Sequence, residues 1–116
     1  MSDLINKPFH VDKSMKNKDL LEYINEHPEV KVLKLPFNSE IHDGTIEQLT
    51  QIEELDISHS RSSRITMDSI MHLCLNGSLK KINIVNNSNF RHADVTNLLN
   101  CGLIVDHSYN PPSTML

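Results

Sequence analysis

The sequence predicts an α/β chain: a short solenoid of about five strand-turn-helix units, with one parallel sheet whose strands follow chain order. Three observations predict it. Apolar-x-apolar triplets recur at Phe9/Val11, Leu33/Leu35, Leu55/Ile57, Ile82/Ile84 and Leu103/Val105, their first members 24, 22, 27 and 21 residues apart. Five residues after those first members stand Ser14, Asn38, Ser60, Asn87 and Ser108; Asn and Ser make up only 24 of 116 residues, so five matches in five exceed chance. Apolar pairs at i, i+3 follow at Leu21/Ile24, Ile46/Leu49, Ile70/Leu73 and Val95/Leu98, the spacing of a buried helix stripe. Self-similarity at a period of about 20–50 residues marks a stacked array.

Each element has a local reason. The triplets are strand cores, since alternate side chains of a strand share one face. The Asn or Ser that follows suits a turn, where a short polar side chain bonds backbone groups that have no ladder partner. Helix starts are marked by "NKD" (17–19), "HDG" (42–44) and "TMD" (66–68), which carry capping or first-turn residues. One such unit cannot bury its apolar face alone, so neighbours must stack. The expected layout is one domain over 1–116: a divergent first unit or cap at 1–27, units over 28–108, and a C-terminal cap or tail at 109–116.

The segments "VKVLKLPFNSEI" (30–41) and "LKKINIVNNSNF" (79–90) resemble the leucine-rich-repeat pattern L-x-x-L-x-L-x-x-N-x-x-L. "RITMDSIMHLCLNGSLKKINI" (64–84) is similar to the ribonuclease-inhibitor-like and cysteine-containing repeats of F-box proteins, where an I-T-D turn opens a helix before the next strand. The second full unit departs from the pattern with Ser60 and the longer loop "SRSSR" (60–64), and no F-box is present, so a ubiquitin-ligase adaptor role is not implied. The resemblance implies a non-catalytic protein-interaction module that binds through its concave strand face. A second resemblance stands beside it. "LDISHS" (55–60), "ITMDSIMHL" (65–73) and "NLLNCGL" (97–103) look like the sulfate-transporter and anti-sigma-antagonist (STAS) fold, which implies a regulatory switch phosphorylated at Ser69, after Asp68. Met71 stands where that family has glycine, and the segment between the second and third strands is short for it.

Composition narrows the function classes. Net charge is −4 and lysines occur only in short clusters, so no nucleic-acid or acidic-membrane partner is expected. No apolar run reaches the ~18 residues of a membrane span, and "MSDLINKPFHVDKSMKNK" has no signal-peptide core, so a cytoplasmic protein is expected. Cys74 and Cys101 are too few for a disulfide framework and read as two reduced core thiols. No phosphate loop, nucleophile elbow, H-E-x-x-H or paired C-x-x-C occurs. His59 and His107 fall two strands apart, about 10 Å at ~4.8 Å per strand and too far for one ion. An enzyme, a metal and a cofactor are therefore not expected.

The strand surface carries the candidate site. Side by side, the strands place Lys31 and Lys34 next to Glu53, Glu54 and Asp56, and these next to Lys80 and Lys81, an alternation that pairs opposite charges. Val32, Phe37, Val85 and Ile104 also face outward in this register, and Pro36 fixes the backbone before Phe37. Lys34, Phe37, Asp56, His59, Asn83, Val85 and Asn86 form the expected partner-binding face; Ser14, Asn38, Ser60, Asn87 and Ser108 hold the turns. A five-unit stack with short caps, ending in Met115 and Leu116, suggests a subunit or adaptor in a hetero-complex with a protein partner.

Overall fold

The computed structural model describes residues 8–60 and 63–107. Five strands, β1 (Phe9–His10), β2 (Val32–Lys34), β3 (Glu54–Asp56), β4 (Lys81–Asn83) and β5 (Ile104–Asp106), form one parallel sheet in chain order. Helices α1 (Asn17–Glu26), α2 (Asp43–Ile46), α3 (Met67–Asn76) and α4 (His92–Asn100) connect them. The α/β class and the sheet order expected from the triplets are both present.

Register places Phe9, Leu33, Leu55, Ile82 and Val105 in one cross-strand row. The first four are the expected strand anchors; the fifth corrects the expectation, because the anchor is Val105 and not Leu103. The reason lies in the preceding helix. The Gly102 N–H donates to the Leu99 carbonyl at 3.0 Å and the Leu103 N–H to the Leu98 carbonyl at 3.3 Å, with Gly102 at φ 90°. This is the Schellman arrangement that ends a helix, and it brings its flanking apolar residues together. Leu103, 5 % exposed, is buried with Leu98 by that stop signal rather than by strand alternation. The corrected spacings are 24, 22, 27 and 105 − 82 = 23.

The ladder continues past each strand. Leu35 N–H donates to the Asp56 carbonyl at 2.8 Å, Ile57 to Asn83 at 3.0 Å, and Ile84 to Asp106 at 2.8 Å. The core lies between the sheet and the helices. Leu33, Leu35, Leu55, Ile57, Leu79, Ile82 and Ile84 are buried beneath the pairs Ile46/Leu49, Ile70/Leu73 and Val95/Leu98. In α1 the buried pair is Leu20/Ile24, at i, i+4, with Leu21 only half-buried, a one-residue shift from the expected pair. Ile41 and Phe90, which occupy the final apolar place of the two quoted repeat-like segments, are buried as well.

Helix length follows linker length. Anchors Leu33 and Leu55 are the closest pair in sequence, and between them α2 is a single turn, so Leu49 packs from the loop after it. The helix starts are fastened to their neighbours by side chains. Asn17 Nδ2 donates to the Glu40 carbonyl at 3.0 Å, while Asn17 Oδ1 accepts from the Thr45 hydroxyl at 2.6 Å. Asp43 accepts from the Thr66 N–H at 2.7 Å and hydroxyl at 2.6 Å, and Thr66 Oγ1 in turn caps α3 by accepting from the Asp68 N–H at 3.2 Å. Among the described residues no buried side-chain nitrogen or oxygen lacks a hydrogen-bond partner.

Candidate functional site: the strand face and its turn edge

The turns that follow the strands set the edge of the site. Asn38, 3 % exposed, uses its whole amide: Nδ2 donates to the carbonyls of Asp12 and Met15 at 2.9 and 3.1 Å, and Oδ1 accepts from the N–H groups of Glu40 and Ile41 at 2.8 and 3.0 Å. The Ser60 hydroxyl donates to the Asn38 carbonyl at 3.1 Å. Asn87 Nδ2 donates to the Ile57 carbonyl at 2.7 Å while Oδ1 accepts from the Asn89 N–H at 2.9 Å. All three are buried and each reaches back to the preceding unit, the turn role expected of them.

Ser14 differs. It is exposed, and its N–H and hydroxyl both donate to Asp12 Oδ2, which holds the Asp12 carboxyl below its ordinary range. It closes a local turn without tying two units. Ser108 lies outside the described residues, and with the anchor corrected to Val105 the fifth following residue is Asn110, also outside them. The same shift moves His107 to the second place after the anchor, the place held by the buried Leu35, Ile57 and Ile84, and not to the strand face expected for it.

The outward face of the sheet is polar. Register sets Lys34 opposite Asp56, Asp56 opposite Asn83, and Glu54 opposite Lys81. Among the described residues two ion pairs join neighbouring units, Lys80–Glu53 at 3.6 Å and Lys81–Asp106 at 3.9 Å; both are solvent-exposed, where such pairs contribute about 0–1 kcal/mol. Lys34, Glu54, Asp56, Lys81, Asn83 and Asp106 border a shallow depression of about 90 Å³. That is well below the ~300 Å³ at which small-molecule sites begin. Glu54 and Lys81 belong to the charge alternation expected from sequence; Asp106 is not part of it, because the expected fifth anchor is Leu103.

Asp56 and Asn83 have a second duty. Asp56 Oδ1 accepts from the Ser58 N–H and hydroxyl at 2.9 and 2.6 Å, and Asn83 Oδ1 accepts from the Val85 N–H at 3.0 Å. The equivalent N–H in the second unit would belong to Pro36, which has none, and there the acceptor position is Lys34. In these three units the residue type after the anchor thus tracks the need for an acceptor.

The turn edge holds the least ordinary geometry. Phe37, His59 and Asn86 each stand four residues after their anchors and have φ of 66°, 56° and 56°. The left-handed region costs an L-residue about 1–2 kcal/mol, less for Asn, and a bulky residue there is an outlier. The backbone is held there by bonds across units: the Phe37 N–H donates to the Ser58 carbonyl at 3.2 Å and the His59 N–H to the Val85 carbonyl at 2.7 Å. Their side chains form a row. The Phe37 and His59 rings stack with centroids 5.2 Å apart at 14°, and Asn86 Nδ2 lies 3.3 Å from His59 Nδ1. Phe37 is 62 % exposed, and Val85 is half-buried beside Asn86. Ile104, also expected outward, is 62 % exposed.

Ser69 is 0 % exposed and its hydroxyl donates to the Thr66 carbonyl at 3.3 Å. Cys74 and Cys101 are half-buried rather than core residues. Among the described residues no group of three or more His, Cys, Asp or Glu is placed to hold a metal ion, and no helix is long and apolar enough to cross a membrane. Comparison with known proteins finds no matching family model, no matching curated protein and no matching solved structure.

Proposed function

We propose that the chain is a leucine-rich-repeat-type solenoid and a non-catalytic protein–protein interaction module, an adaptor or subunit of a larger cytoplasmic assembly, whose strand face and turn edge hold a protein partner. The observation that carries this reading is the Phe37–His59–Asn86 row. Backbone strain at equivalent positions of three consecutive units, ending in an exposed stacked aromatic, fits a surface held ready for contact. An aromatic anchor is a usual component of an interface centre, with polar and charged groups at its rim. The strand face, which no described element covers, supports the same reading, since parallel sheets ordinarily have both faces covered. Its depression is too small for a typical small molecule but suits an extended contact.

The regulatory-switch alternative, with Ser69 phosphorylated, is the weaker. A kinase would have to reach a hydroxyl that is fully buried, and that fold has a shuffled strand order where this sheet runs in sequence.

The test is affinity purification of the tagged full chain beside Phe37→Ala, His59→Ala and, on the helix side, Leu75→Ala, which removes a side chain that is 75 % exposed. The reading expects one protein retained by the wild type and by Leu75→Ala, at least tenfold depleted with Phe37→Ala (about 1.4 kcal/mol), and no fall in melting temperature. Equal retention by all four chains would count against it.

A further inference from the structure

Both cysteines lie where the outer face of α3 meets the end of α4. The Cys74 thiol donates to the Cys101 carbonyl at 3.5 Å, and the Cys101 thiol contacts Met71 Sδ at 3.6 Å. Met71 and Cys74 are i, i+3 on α3, so they share the face that meets the end of α4. Cys101 is the C-cap of α4, and the Schellman bonds through Gly102 and Leu103 fix where it sits. Both residues are free and partly exposed, so a small oxidant reaches them.

From this placement we infer that Cys74 and Cys101 form a redox pair that closes to an intramolecular disulfide with hydrogen peroxide, fastening the end of α4 to α3. The Cys101 thiolate attacks one peroxide oxygen; the S–O bond forms, the O–O bond breaks, and hydroxide leaves as water once protonated. The Cys74 sulfur, losing its proton, then attacks the sulfenic sulfur; the S–S bond forms, the S–O bond breaks, and a second water leaves. Two thiols and one peroxide thus give one disulfide and two waters. Burial, and then the adjoining Cys101 side chain, push the Cys74 thiol up, which keeps it protonated through the first step. The bridge would enclose β4 and so lock the strand that carries Asn83 against its neighbours. None of this depends on what the strand face binds.

The experiment uses the full reduced chain, treated with equimolar hydrogen peroxide and then alkylated and analysed by mass spectrometry. Expected are a monomer lighter by two hydrogens, a peptide linking Cys74 to Cys101, and full recovery of both thiols with dithiothreitol. The melting temperature should rise by about 10 °C on oxidation, from closure of a loop of this length in a chain of this size. Cys74→Ser and Cys101→Ser should each lose that rise. A disulfide-linked dimer, sulfinic acid on one cysteine with the other still alkylatable, two unreacted thiols, or a rise that persists in either variant would overturn the inference.

Discussion

At the scale of single residues, the buried asparagines and the strained edge residues make opposite demands on stability. Asn38 satisfies four backbone groups with one amide, two of them in the preceding unit. Removing it leaves two part-buried carbonyls, a part-buried N–H and the buried Ile41 N–H without this partner, so Asn38→Ala should cost about 2–4 kcal/mol in urea unfolding, and Ser60→Ala, with one bond to lose, about 1 kcal/mol. Phe37 should behave in the other direction. Its left-handed backbone is one that Asn tolerates, so Phe37→Asn should leave the melting temperature unchanged or raise it, by up to about 1 kcal/mol of stability. A large loss of stability would mean that the Phe37 ring is a packing residue and not a contact surface.

At the scale of elements, the strands, the turns and the three expected helix starts were legible, and the helix stops were not. Period-two alternation followed by Asn or Ser located β1 to β4 and the ladder through Asn38, Ser60 and Asn87, because burial of one strand face imposes that pattern directly. Leu103 misled because a helix stop buries an apolar residue as firmly as a strand does. The one-turn α2 was hidden because Ile46 and Leu49 keep helical spacing even though the helix stops between them. The left-handed row was only half legible: Phe37, His59 and Asn86 could be placed on the face, but no glycine signals their φ, which at Phe37 and His59 is held by cross-unit hydrogen bonds. The Gly102 turn makes its own prediction. A Cβ there would meet no neighbouring atom, so Gly102→Ala isolates the backbone strain of φ 90° and should lower stability by about 1–2 kcal/mol in a thermal melt. No change would mean that the α4 stop does not depend on that conformation.

At the scale of the whole molecule, consecutive units contact one another in sequence order, and that shapes both stability and the surface the sheet presents. A central strand has a neighbour on each side, whereas among the described residues β5 pairs with β4 alone. Leu55→Ala, at a fully packed position of β3, should therefore cost about 2–5 kcal/mol, and Val105→Ala, half-buried in β5, roughly 1 kcal/mol by urea denaturation. The same serial arrangement lines up Phe37, His59 and Asn86 from three units along one edge, a continuous surface that no single unit could present. The most direct measurement of the proposed role is photo-cross-linking with p-benzoylphenylalanine at position 37, compared with position 75 on the helix side, in the full chain among its native partners. The account predicts a single cross-linked protein from position 37 and none from position 75. Cross-links from position 75 alone, or equal labelling from both positions, would contradict it.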